Sequence, residues 1–115
     1  MPPRPSRGEV WTVDLEPVLG HEQGGRTRPC LIVSTDTFNH GRAELVIAIP
    51  VTTKWKGIPI HVPVSPPEGG LTQPSFIKCE DVRSISTLRL KDFWGRVEPA
   101  TLKKVESNLR TLLDL

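Results

Sequence analysis

The apolar residues of this chain fall in short runs separated by polar segments, several of them rich in proline or glycine, and that punctuation most limits its fold. "PCLIVS" and "ELVIAIPV" are continuous and β-branched, with the polar "TDTFNHGRA" between them and Asn39-His40-Gly41 supplying the turn. Runs of this length and branching favour buried strands over helices. "EVWTVDL" sets Trp11, Val13 and Leu15 against Thr12 and Asp14, a period of two that marks a further strand. "IPIHVPV" puts Ile58, Ile60, Val62 and Val64 on one face and Pro59, His61 and Pro63 on the other. Proline cannot donate to a ladder, so this strand belongs at an edge or a bulge. "SFIKCEDVRSI" is another strand region, "STLRL" suits one helical turn, and "DFWGRV" is a last strand.

The end of the chain changes period. In "EPATLKKVESNLRTLLDL", Leu102, Val105, Leu109, Leu112 and Leu113 recur at helical spacing, and Pro99 stands where a first-turn proline is tolerated. A helix over 99–113 is expected. The fold class is therefore mainly β with a C-terminal α-helix, a small antiparallel barrel packed on one side by that helix. Residues 1–7 hold three prolines and two arginines and read as a loose arm. Residues 8–115 read as a single domain, within the ordinary size range.

No apolar run approaches the ~18 residues of a membrane span, and the start carries charge without an apolar stretch behind it. A cytoplasmic protein with no membrane partner is expected. The net charge of +2 is too small to argue for a polyanionic partner, so the placement of charge matters more than its sum. Cys30 and Cys79 lie in strand-like segments away from any metal-ligand spacing and read as small buried hydrophobes.

The chemistry is not that of a metal cluster or a P-loop. His21, His40 and His61 are scattered, and Gly24-Gly25 is followed by arginines rather than by Lys-Ser/Thr. Arginine, hydroxyl and carboxylate groups near strand ends remain. Arg28 precedes Pro29, which holds its backbone extended at the mouth of a predicted strand. A planar, permanent cation there can stabilise a phosphoryl transition state, or it can simply pair with Glu22 or Asp14. Thr52 and Thr53 close "ELVIAIPVTT", and Lys54, Trp55 and Lys56 follow. Those hydroxyls could bind phosphate, the lysines attract the backbone and Trp55 stack a base; equally, this is a solvated strand end with a packing tryptophan. Ser75 and Glu80-Asp81 at the next strand carry a weaker signal of the same kind.

In combination and order, "RGEVWTVDLEPVLGHEQGGRTRPCLIVS", "IPVTTKWKG" and "FIKCEDVRSIS" resemble the MazF/PemK toxins of bacterial toxin–antitoxin systems, from Gly8 to the C-terminal helix. That resemblance implies an SH3-like barrel acting as a homodimer, with RNA lying across the dimer groove. It implies a toxin of a type II system, a ribosome-independent endoribonuclease that cuts single-stranded mRNA at a short sequence and so inhibits translation and growth. No metal or other cofactor is implied. The ribose 2′-OH would attack the adjacent phosphorus, giving 2′,3′-cyclic phosphate and 5′-OH ends. By motif, the catalytic arginine falls on Arg28, its threonine partner on Thr52 and the loop glutamate on Glu22, an alternative proton acceptor. Gln23, Gly24 and Gly25 would line or shape the RNA path, and Arg26, Thr53, Lys54, Trp55, Lys56 and Ser75 are further RNA-binding candidates. "GGRTRP" has one residue more than many members between the glycines and Arg-Pro, which leaves Arg26 either on RNA or in solvent.

The resemblance also implies a MazE-like antitoxin partner, of the kind that folds an acidic segment across the toxin's basic groove. Base recognition would depend on loops around residues 16–28, 54–59 and 65–75. The alternative is a CcdB-type protein, which shares the barrel but poisons gyrase without a nuclease site.

Overall fold

The structure, a computed structural model, describes residues 4–15 and 27–115. The continuous apolar runs are strands β2 (Arg28–Ile32) and β3 (Leu45–Thr52), paired antiparallel with each other. Strand β1 (Glu9–Val13) lies along the other edge of β2, with Trp11 opposite Cys30. These strands lack clean alternation because both faces are covered. Val10, Leu31, Ile49 and Val51 enter one core cluster, while Val13, Cys30, Ile32, Val46 and Ala48 enter a second. Even Thr12, on the polar side of the predicted alternation, is buried, and its Oγ1 accepts the Asp92 N–H at 2.9 Å.

A short helix, α1 (Asp36–Asn39), connects β2 to β3 where a turn was expected. Strand β4 (His61–Val64) follows, and the single strand region read in "SFIKCEDVRSI" is two strands, β5 (Ser75–Lys78) and β6 (Arg83–Ser86). A one-turn helix, Cys79–Asp81, divides them, and a Lys78–Asp81 ion pair of 3.0 Å spans it. Strand β7 (Leu90–Arg96) and helix α2 (Pro99–Leu113) complete the chain, after the expected helical turn at Thr87–Arg89. The sheet runs β4-β5-β3-β2-β1-β7. The long β3 serves two neighbours on its other edge: Leu45–Ala48 pair with β6, and Val51 and Thr52 pair with β5. The result is a barrel-like sheet left open along its strand path, with β4 and its exposed Pro63 at one edge as the prolines require.

Helix α2 closes the first core cluster. Val105 is fully buried, with Leu102 and Leu109 against the same cluster, while Leu112 and Leu113 stay exposed in the single chain. The helix ends at Asp114, which adopts the left-handed conformation at φ 58°. No helix among the described residues is long and apolar enough to cross a membrane.

Three further features differ from expectation. The face assigned to Pro59, His61 and Pro63 is not uniform, because the His61 side chain is fully buried and places Nε2 2.8 Å from Glu80 Oε2. Residues 58–60 precede the strand rather than belonging to it. Residues 4–7 of the proline-rich arm are tied to the body. Pro5 is buried with its carbonyl 2.8 Å from His40 Nε2, the Arg7 N–H donates to Asp36 at 2.7 Å, and the Arg7 guanidinium pairs with Glu106 of α2. The Arg7 N–H also holds the exposed Asp36 carboxyl below its usual range. The cysteines behave as small apolar residues: burial pushes the Cys30 thiol up to about 12 and the Cys79 thiol up to about 11, so both stay protonated at neutral pH.

Candidate active site

Strands β2 and β3 place the arginine and the threonine together. Their register pairs Cys30 with Pro50, and two steps further along the two strands stand Arg28 and Thr52. Both line a cleft of about 140 Å³, with Thr53, Leu71, Thr72, Gln73, Ser75 and Trp94. Arg28 is exposed at the first position of its strand, and Pro29 behind it fixes the strand's entry. A rigid origin of this kind limits how far the guanidinium can wander from the cleft.

Thr52 is buried at the last position of β3, opposite Phe76 of β5. Its Oγ1 accepts the Lys54 N–H at 3.1 Å, a local turn that orients the hydroxyl. A hydroxyl has one proton and two lone pairs, so Thr52 still has its proton to donate to an anionic oxygen. Ser75 is also buried, and its hydroxyl donates to the Gln73 carbonyl at 2.8 Å. That bond spends the serine's proton and shapes the backbone that carries Thr72 and Gln73 along the cleft.

Beyond the cleft, Lys54, Trp55 and Lys56 are all exposed, and Trp55 is 66% accessible. Its ring leans on Phe76, with centroids 5.0 Å apart and planes tilted by 44°. Phe76 is the cross-strand partner of Thr52, so this basic and aromatic surface adjoins the threonine. The structure thus brings together Arg28, Thr52, Thr53 and Ser75, with Lys54, Trp55 and Lys56 on the adjacent surface. Glu22, Gln23, Gly24, Gly25 and Arg26 lie outside the described residues.

Four of these lining residues, Leu71, Thr72, Gln73 and Trp94, were not singled out from the sequence. Leu71, Thr72 and Gln73 fall in the segment around 65–75 to which the resemblance assigned base recognition, but none was named as a candidate. Trp94 was read only as part of a strand. No local signal marked it, because the strand has the same composition whichever way its aromatics face.

An arginine and a donor hydroxyl converging at strand ends define a small mainly-β protein with a site suited to an anionic ester. Residues 6–113 match the family model of the PemK-like, MazF-like toxins of type II toxin–antitoxin systems, and the chain belongs to that family. It is 37% identical over 114 residues to the endoribonuclease MazF9 of Mycobacterium tuberculosis, an overlap of 95% of this chain and 96% of the relative. MazF from Deinococcus radiodurans superposes with a TM-score of 0.85 at 29% identity, covering 96% of this chain and 97% of that one. A mycobacterial endoribonuclease in complex with its cognate antitoxin superposes with a TM-score of 0.76 at 29% identity, covering 97% and 95%. None of these matches supports the CcdB-type alternative.

Proposed function

We propose that this protein is the toxin of a type II toxin–antitoxin system, an endoribonuclease that cuts single-stranded mRNA at a short sequence and arrests translation. The observation that carries this reading is the convergence of Arg28 and Thr52 on one cleft in a chain of the MazF/PemK family. In the proposed step the ribose 2′-oxygen forms a bond to the adjacent phosphorus and the bond from phosphorus to the 5′-oxygen breaks. The 2′-OH gives up a proton and the departing 5′-oxygen takes one. Arg28 stabilises the doubly charged phosphorane through its paired N–H groups, and Thr52 donates its hydroxyl proton to a phosphate oxygen. Arginine is a poor base at neutral pH, so Glu22 is the proposed proton acceptor.

Lys54, Lys56 and Trp55 are proposed to guide and stack the strand as it leaves Thr52 and Thr53. Gln23, Gly24, Gly25 and Arg26 are proposed to complete its path from the loop before Arg28, with Ser75 supporting the opposite wall. The cytoplasm, where mRNA is translated, is the proposed site of action. A homodimer is the proposed working form, and an antitoxin with an acidic segment is the proposed partner. Complementarity to the arginine and lysines around the cleft supports that partner, as does the antitoxin complex of the mycobacterial relative. The reading is tested by the product ends. Digestion of single-stranded RNA in EDTA should leave 2′,3′-cyclic phosphate and 5′-OH termini, whereas 5′-phosphate ends, or activity that returns only with added divalent metal, would contradict it.

A further inference from the structure

Trp94 occupies an unusual place on β7. Val10 pairs with Gly95 and Trp11 pairs with Phe93, so Trp94 is the extra residue of a β-bulge in the β1–β7 ladder. Bulges re-aim side chains and recur beside active sites. Here the bulge leaves Trp94 40% exposed as one wall of the cleft that holds Arg28 and Thr52. The same residue also borders a larger groove of about 620 Å³ formed with Ser65, Glu68, Gly70, Arg96 and Glu98.

The backbone under Trp94 is held by two glycines. A Cβ on Gly70 would stand 2.1 Å from the Trp94 carbonyl oxygen, and a Cβ on Gly95 would stand 2.7 Å from the Gly70 nitrogen. Only glycine permits so close an approach of the two segments, and the approach fixes the backbone that carries the indole. The outer groove is poorly suited to phosphates, because Glu68 and Glu98 line it and Arg96 is paired with Glu9 at 3.1 Å. A flat aromatic wall, rigid at its backbone and beside a phosphate-binding pair, is suited instead to the face of a nucleobase. Gln73 on the same cleft carries both an amide donor and an acceptor, the groups needed to read a base edge.

We propose that Trp94 and Gln73 form a base-selecting subsite: Trp94 stacks a nucleobase next to the scissile phosphate and so holds it in place for Gln73, which reads that base's edge. This rests on the endoribonuclease reading and adds to it the position at which one base is selected.

The test compares wild type, Trp94→Ala and Trp94→Phe on single-stranded RNA, with cleavage sites mapped by sequencing 5′ ends and kinetics measured on a short substrate bearing the preferred site. Trp94→Ala should raise KM about tenfold, the scale of one lost base–aromatic stack, with kcat within about twofold of wild type. Its cleavage sites should lose base preference at one position beside the cut, and Trp94→Phe should recover most of both. An unchanged KM and site profile in Trp94→Ala would overturn the proposal, as would a Trp94→Phe protein as impaired as the alanine variant. A wild type that leaves RNA intact would instead sink the endoribonuclease reading and the stacking role with it.

Discussion

Arg28→Ala should lower kcat for RNA cleavage by about 10²–10³-fold, the usual scale for losing one preorganised donor to a developing oxyanion. The folded protein should hardly notice. Arg28 is exposed at the first position of β2, so its truncation opens no core cavity and loses at most a surface interaction, worth about 1 kcal/mol or less. Thermal unfolding should therefore coincide with that of the wild type while single-turnover cleavage collapses. Arg28→Lys should fall between the two, because lysine keeps the charge but loses the planar fork that can hold two phosphate oxygens at once. Near-normal cleavage by Arg28→Ala would remove the residue from the mechanism. A large fall in melting temperature would mean that it acts through the fold.

Gly70→Ala should destabilise the protein by about 3 kcal/mol or more, through two separate effects. At φ +73° an L-residue costs roughly 1–2 kcal/mol. The new Cβ would also stand 2.1 Å from the carbonyl oxygen and 2.6 Å from the carbonyl carbon of Trp94, backbone atoms that move only if β7 moves. Overpacking of this kind costs typically a further 1–3 kcal/mol. The melting temperature should drop by roughly 10 °C or more, since about 1 kcal/mol corresponds to some 4 °C in a domain near this size. Gly57→Ala is the matched control: its φ is +66°, but its nearest neighbour would be a tryptophan ring carbon at 4.0 Å. That substitution should cost only the conformational penalty, and equal losses at the two positions would show that the close approach to Trp94 contributes nothing.

The elements that were legible in the sequence are those whose identity is set locally. Pro99 followed by a helical stripe announces α2, and the two short β-branched runs announce β2 and β3. The pairing that places Arg28 beside Thr52 was not legible from spacing, because it depends on the register of two strands whose faces are both buried. Alternation cannot set register when neither face is polar. The motif resemblance supplied what the pattern withheld.

His61 shows the opposite failure. Its place in an alternating strand suggested company with two prolines, but an edge strand packed under α2 takes its burial from tertiary contacts, and Glu80, distant in sequence, offers the imidazole a partner. Trp94 was hidden for a related reason. A bulge inserts one residue into a ladder without changing the local composition, so the strand reads the same whether its aromatics face solvent, core or cleft.

The central claim is that RNA is cut by its own 2′-oxygen at a phosphate held by Arg28 and Thr52. The most direct measurement is cleavage, in EDTA, of an oligoribonucleotide carrying the preferred site with a single 2′-deoxy substitution at the nucleotide 5′ to the cut. Complete resistance of that substrate, alongside normal cutting of the all-ribose control, is the expected result. Cleavage of the deoxy substrate at the same bond would contradict the mechanism outright.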